Sequence, residues 1–423
     1  MPAISATDRA TLRSLASRYR DICASDHVRW SRQQWQRLVD LQPTERPLVA
    51  VQPEGATAEV MGDERCICAP ELHGIEYGLR YRIRMAEFLK DDTPWTPTVD
   101  IQWRVKDTGW GVEIPQHHGE NRGSFVWEPP LKDLQKDLAK LRHREFSVDR
   151  AGSDADLALA QDLLGDILTV QRRHYGFWTV GLTIDVIRLV GLEQLMTLMY
   201  DDPEGLHAVM AWMRDDTAQM MDWYEREGLL TSNHDCSFGI GSGAYGPTAS
   251  LPALDHGATF AQRWGFAESQ ETVGVSPKLF QKFILPYQVP LMRRFGLAYY
   301  GCCEGVEKRL AMVMAEVPNL RVVSMAPWAD QEKMAAISDG KLVLARKPNP
   351  TLVCGEFREP GIREDLATTL RLCGHRPLCF VLKDTHTVQG EPWRLRRWVE
   401  LAREEIALAK DRGLQPALAA AGG

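Results

Sequence analysis

Nowhere in the chain do about 18 apolar residues run uninterrupted, the length a membrane-crossing helix requires, so no span is expected. Residues 1–20 scatter Asp8, Arg9, Arg13, Arg18 and Arg20 among apolar residues, and the continuous apolar core of a secretion signal is missing. An excess of positive charge is also missing. Fifty basic against 57 acidic residues give a net charge of -7, which argues against a dedicated nucleic-acid binder and for a small-molecule partner. No phosphate-cradling glycine fingerprint follows an expected strand: Gly239, Gly241 and Gly243 alternate, but no helix pattern opens after them. Nucleotide cofactors are therefore not indicated. Without a secretion signal or a span a cytoplasmic setting is expected, and the nine cysteines, odd in number and without the spacing of a disulfide framework, then read as reduced thiols.

What is present is clearest from Ser276 onward. Ser276 and Pro277 form a helix-opening pair, and Phe280, Phe283, Ile284, Tyr287, Leu291, Met292 and Phe295 recur at helical spacing, with a kink expected near Pro286. Four strand-helix units follow over residues 297–411. Their strands are read at Leu297 to Tyr300, Arg321 to Met325, Lys341 to Arg346 and Leu378 to Leu382, each closed by polar residues. Strand starts 20 to 40 residues apart suit successive β/α units of a parallel sheet. Four weaker candidates lie upstream at Pro47 to Val51, Val99 to Arg104, Phe177 to Leu182 and Cys236 to Ile240. Four and four make the (β/α)8 TIM barrel the expected α/β fold, with an open doubly wound sheet as the alternative. Residues 1–45 read as a helical N-terminal addition, 46–411 as the barrel with helical insertions, and 412–423 as a flexible tail.

In a barrel, reactive groups gather at the carboxyl ends of the strands. That criterion selects Cys302, Cys303 and Glu304 after the fifth strand, Lys347, Asn349 and Cys354 after the seventh, and Lys383, Asp384 and His386 after the eighth. The loop after the fourth expected strand adds Trp264, Glu268, Gln270 and Glu271. A thiolate with an imidazole and carboxylates suits zinc, although Cys302 and Cys303 read equally well as packed small residues. Side-chain alternation lets only one of the two cysteines face the pocket, and Cys302 is the choice. Alternation also puts Asp384 and His386 on one side, which makes a carboxylate-imidazole pair. Lys347 and Lys383 suit a substrate carboxylate or phosphate, though most lysines are solvated surface charges. Trp103 and Trp110, beyond the second strand, are expected to face a ligand, together with Gln270 and Asn349. His174, His234, the loop pair His117 and His118, and the cluster Cys66, Cys68 and His73 read more readily as structural or exposed.

The run Tyr200-Asp201-Asp202-Pro203-Glu204, the pairs Ser276-Pro277 and Pro286-Tyr287, the Gly301-Cys302 strand end, Lys347-Pro348-Asn349-Pro350 and the Lys383 to Val388 segment together resemble the uroporphyrinogen decarboxylase superfamily over residues 165–411. The strings WGFAESQETVGVSP and YGCCE point to one branch of it. The resemblance implies a barrel, and it brings in the zinc-dependent, corrinoid-linked methyltransferases of that superfamily. The chain departs from the pattern in three places. The arginine-rich N-terminal motif that grips an acidic porphyrin is missing, the histidine that the methyltransferases place two residues before the strand-end cysteine is Tyr300 here, and the further cysteine they carry at the last strand gives way to the residues near Lys383 or Asp384.

The leading expectation is a metal-dependent methyl-transfer or demethylation enzyme. Its divalent metal, zinc by preference, would be held by Cys302, Asp384 or His386, and Glu268, with Glu268 or His386 moving protons and a corrinoid protein as possible partner. The alternatives are a metal-free decarboxylase or lyase, with Lys347 and Lys383 on a carboxylate and Asp384 or His386 as proton donor, and a non-catalytic barrel that binds a ligand or a corrinoid protein.

Overall fold

The computed structural model describes residues 4–118, 125–173, 179–236, 239–254 and 256–413. Two helices open it, α1 (Ala6–Cys23) and α2 (Asp26–Val39), each started by a serine, Ser5 or Ser25, whose hydroxyl accepts a backbone N–H from the first turn. Six strands then make one parallel sheet: β1 (Leu48–Val51), β4 (Trp264–Ala267), β5 (Leu297–Tyr300), β6 (Leu320–Met325), β7 (Val343–Arg346) and β8 (Leu378–Leu382). They lie in the order β1-β8-β7-β6-β5-β4, so successive strands are neighbours and the first strand joins the last. Two further strands, β2 (Thr98–Gln102) and β3 (Thr169–Arg173), pair with each other, also in parallel.

Alternation along the six strands divides their side chains between two packed faces. Leu48, Ala50, Trp264, Phe266, Leu297, Tyr299, Val322, Val343, Ala345, Cys379 and Val381 share one cluster, joined by Trp35 and Leu38 of α2 and by Ile240 and Ala244. Val49, Val51, Ala267, Ala298, Tyr300, Val323, Leu344, Phe380 and Leu382 belong to the other, against the helices that connect the strands. The first face is occupied by a tight hairpin in which Gly239 and Ile240 pair with Tyr245 and Ala244. Gly241 has φ +54, and a Cβ there would stand 2.3 Å from the Tyr299 ring, so only glycine fits this approach. Helix α2 packs on this face through Trp35, Leu38 and Val39.

The four strand-helix units over 297–411 stand where the residue pattern puts them. The helical run after Ser276 is broken rather than kinked: helices span Pro277–Phe283 and Leu285–Met292, with the break at Ile284, just ahead of Pro286. Two of the upstream expectations are corrected. The third strand is Thr169–Arg173, not 177–182. Of that range the described part, 179–182, runs beside β4, with the Val180 N–H donating to Phe266 O at 2.8 Å. The fourth strand is Trp264–Ala267, inside the string first read as a loop, while Gly239 and Ile240 belong to the inner hairpin. A buried strand of only four residues carries no period of its own, which is why it was read as loop. Among the described residues no helix is long and apolar enough to cross a membrane.

Candidate active site

Continuing the strand alternation by one step places Gln52, Glu268, Lys347 and Lys383 just beyond β1, β4, β7 and β8 on the first of these faces, in phase with Ala50, Phe266, Ala345 and Val381. All but Gln52 are buried at 9% exposure or less. β5 ends differently. Gly301 takes φ +89, the strand turns, and both Cys302 and Cys303 come to the same side. Alternation fails here because the extended backbone stops at that glycine.

Cys302 is 3% exposed and sits at the centre of a polar cluster. Its Sγ is 3.2 Å from Ser242 Oγ, which the inner hairpin delivers, and 3.5 Å from Cys303 Sγ. Lys347 Nζ donates to Ser242 Oγ and, at 2.6 Å, to the carbonyl oxygen of Cys302. Lys383 Nζ reaches Ser242 Oγ at 3.3 Å. A serine hydroxyl has two acceptor sites and one proton, so with both ammonium groups donating to it, its own proton is directed to Cys302 Sγ. The Cys302 thiol is brought down to about 6. The hydrogen bond from Cys303 contributes most, burial opposes, and Lys347, Ser242 and Lys383 add to the lowering. Cys303 is pushed up, by its bond to Cys302 and by burial, and so keeps its proton. Cys303 Sγ also lies 3.5 Å from Asp384 Oδ2, and its single proton serves either partner. Burial lowers Lys347, with the nearby thiols opposing. Burial also acts to lower Lys383, but Glu54 at 3.1 Å, Cys302 and Asp384 outweigh it and raise it.

A second group of acids stands beside the first. Glu304 Oε2 accepts the Cys302 N–H at 2.7 Å and its Oε1 accepts the Ser269 N–H at 2.9 Å, which ties the end of β5 to the end of β4. Glu268 is fully buried. One carboxyl oxygen accepts the Gln270 N–H at 3.0 Å, and the other, Oε1, has no hydrogen-bond partner among the described residues. Burial raises Glu268 well above its ordinary value, helped by Glu271, Glu304 and Cys302, and so favours its protonated form. A buried neutral acid with an unpartnered oxygen is equipped to donate a proton.

Cys302, Glu268, Lys347, Lys383 and Asp384 therefore stand together at the strand ends; His386 does not join them. Asp384 takes φ +58, so the segment is not extended and Asp384 and His386 do not share a side. The loop is fastened instead to the one after β1: the Asp384 N–H donates to Glu54 Oε2 at 2.6 Å, Thr385 Oγ1 to Pro53 O at 2.7 Å, and the His386 ring stays exposed. Asn349 is spent locally, its Oδ1 accepting from the N–H and hydroxyl of Thr351. Gln270 is engaged through its backbone. Trp103 lines a separate cavity of 390 Å³ with Asp100 and Arg104, and its indole N–H donates to Leu229 O. The Trp110 indole donates to the buried Asp216, which Arg144 also holds. Neither tryptophan is placed among the strand-end residues.

Of the other candidates, His73 bonds Cys68 O while Glu76 accepts the N–H groups of Ile67 and Cys68, a structural arrangement. His234 bonds Pro252 O, and His117 lies 3.4 Å from Glu128 on the surface. His174 lies outside the described residues. Ser242 and Glu54 were not anticipated. The alternating glycines around Ser242 were the available signal, and they mark close backbone approach rather than a phosphate site.

Among the described residues no three His, Cys, Asp or Glu side chains form a group able to hold a metal ion. Two ammonium groups border Cys302 instead, and like charge opposes a dication at that sulfur.

No protein-family model matches the chain, and no curated protein matches it in sequence. Among solved structures, a methyltransferase from Methanosarcina mazei has a similar fold, with a TM-score of 0.51 over 88% of this chain and 98% of that one, at 12% identity.

Proposed function

We propose that this chain is an enzyme that transfers or removes a methyl group on a small anionic molecule, with the Cys302 thiolate as nucleophile and no metal at the sulfur. The observation that carries the reading is the buried thiol of Cys302, lowered to about 6 by the hydrogen bond from Cys303 and further by Lys347, Ser242 and Lys383. A thiolate is the nucleophilic form of cysteine, and a cationic, partly enclosed setting is what produces it at neutral pH. The methyl group is supported only by the fold shared with a methyltransferase.

Lys383, the less buried of the two lysines, would hold the substrate's anionic group, while Lys347 and Ser242 keep Cys302 ionised. In the attack a sulfur-carbon bond forms as the bond from methyl to the substrate heteroatom breaks. The leaving heteroatom takes the electron pair and the proton of Glu268. Return to the free thiolate needs a second, stronger nucleophile, for which a corrinoid protein is the proposed class. The two sheets are further proposed to close as one eight-stranded barrel. The Asp92 N–H bonds Val49 O at one edge of the six-stranded sheet and the Val180 N–H bonds Phe266 O at the other, carrying the chain toward β2 and away from β3.

A decarboxylase or lyase is the second reading, favoured by the buried Glu268, whose protonated form burial favours and which suits protonation of a carbanion. The test is turnover of small acids bearing deuterium-labelled methyl ethers, amines and thioethers, followed by mass spectrometry. Label leaving the substrate in the wild type and staying in Cys302→Ser supports methyl transfer. Release of carbon dioxide with Cys302→Ser fully active would overturn it in favour of the second reading.

A further inference from the structure

We propose that Cys302 and Cys303 together form a dithiol site that chelates trivalent arsenic, as arsenite or as a monosubstituted arsenical. The two Sγ atoms lie 3.5 Å apart on one side of the turn that Gly301 makes at φ +89. Adjacent residues hold their Cα atoms about 3.8 Å apart, short of the roughly 4.4–6.8 Å a disulfide spans, and an S–S bond of about 2.05 Å would have to draw the sulfurs together under strain. A soft atom bridging both sulfurs leaves them where they are. Soft thiolates select soft partners, and the setting selects further. Lys347 and Lys383 oppose a dication beside Cys302, whereas arsenous acid is uncharged in neutral water and meets no such opposition. Cys302 supplies a ready thiolate, and Cys303, partly exposed, supplies access and a proton that Asp384 is placed to accept.

The reaction is an exchange without change of oxidation state. Two As–O bonds break and two As–S bonds form; two waters leave, one taking the proton of Cys303 and the other a proton from solvent, because Cys302 is already ionised. One hydroxyl, or the organic substituent of an arsenical, remains on arsenic. The inference uses the same Cys302 as the proposed function but requires no methyl transfer.

Full-length reduced protein is titrated with phenylarsine oxide and, separately, with arsenite, then analysed by intact mass spectrometry and by protection of cysteines from alkylation. One arsenical per chain is expected, with Cys302 and Cys303 protected together and release by a dithiol but not by a monothiol. Cys303→Ser, checked for fold by circular dichroism, should bind at least tenfold more weakly; Cys303→Ala provides the same comparison without the hydroxyl. Cys66→Ser should bind as the wild type does. Undiminished binding in both Cys303 variants, or protection confined to Cys66 and Cys68, would overturn the proposal. Arsenical binding lost while labelled methyl still reaches Cys302 would sink this inference alone, and the converse would sink only the functional reading.

Discussion

Lys347 Nζ donates to the carbonyl oxygen of Cys302 at 2.6 Å while bonding the same Ser242 hydroxyl that faces Cys302 Sγ. One buried ammonium group thus fixes the backbone of the cysteine and helps to ionise its sulfur. Replacing it with methionine keeps the bulk and removes both effects. Lys347→Met is expected to raise the Cys302 thiol toward its ordinary value near 9, read as a shift to higher pH in its alkylation profile. Ser324 Oγ still bonds the Cys302 carbonyl at 2.6 Å, so the fold should survive.

Glu268 gives a prediction of opposite sign. Its raised value in the fold means that the native state favours the neutral acid. The stability this contributes is full below the ordinary carboxyl range and is lost as pH rises through the folded value. Glu268→Gln is neutral at every pH, so the variant should lose less stability than the wild type in alkaline urea melts. It should also abolish turnover, because glutamine has no proton to give.

Glu304→Ala removes the acceptor for both the Cys302 and Ser269 N–H groups. Each stranded buried donor costs about 1–3 kcal/mol. Urea denaturation should show a loss of that order per donor; an unchanged midpoint would mean the carboxylate does not join the two strand ends.

Gly241→Ala tests the hairpin that carries Ser242. At φ +54, with Tyr299 ring atoms 2.3 Å from an added Cβ, alanine forces the hairpin off the sheet face it occupies. The expected outcome is a lowered thermal midpoint together with a thiol shifted toward 9, since Ser242 moves with the backbone.

Dialysis against a chelator should leave activity intact, because Lys347 and Lys383 place positive charge beside Cys302. Activity lost to the chelator and restored by zinc would return the metal-dependent reading to first place.

Much of this site was legible in the residues, and its gaps have physical causes. Lys347 and Lys383 follow from counting alternate positions along two apolar runs, and Cys302 from its place after a third. His386 was misread because the count assumed an extended chain through Asp384, whose φ of +58 breaks it. Strand β3, Thr-Val-Gln-Arg-Arg, hides behind polar side chains: Arg173 is buried against Asp100 and Asp235, pairings that only the folded chain reveals. Ser242 and Glu54 reach the cluster from loops remote in sequence, and no local period announces such an approach.

The central claim is that Cys302 is a thiolate at neutral pH because Cys303, Lys347, Ser242 and Lys383 surround it. It is tested most directly by alkylating the native protein with iodoacetamide across pH 4 to 10 and measuring the rate at the Cys302 peptide by mass spectrometry. The account predicts a midpoint near 6 that moves up in Lys347→Met. A midpoint near 9, unmoved by that substitution, would contradict it.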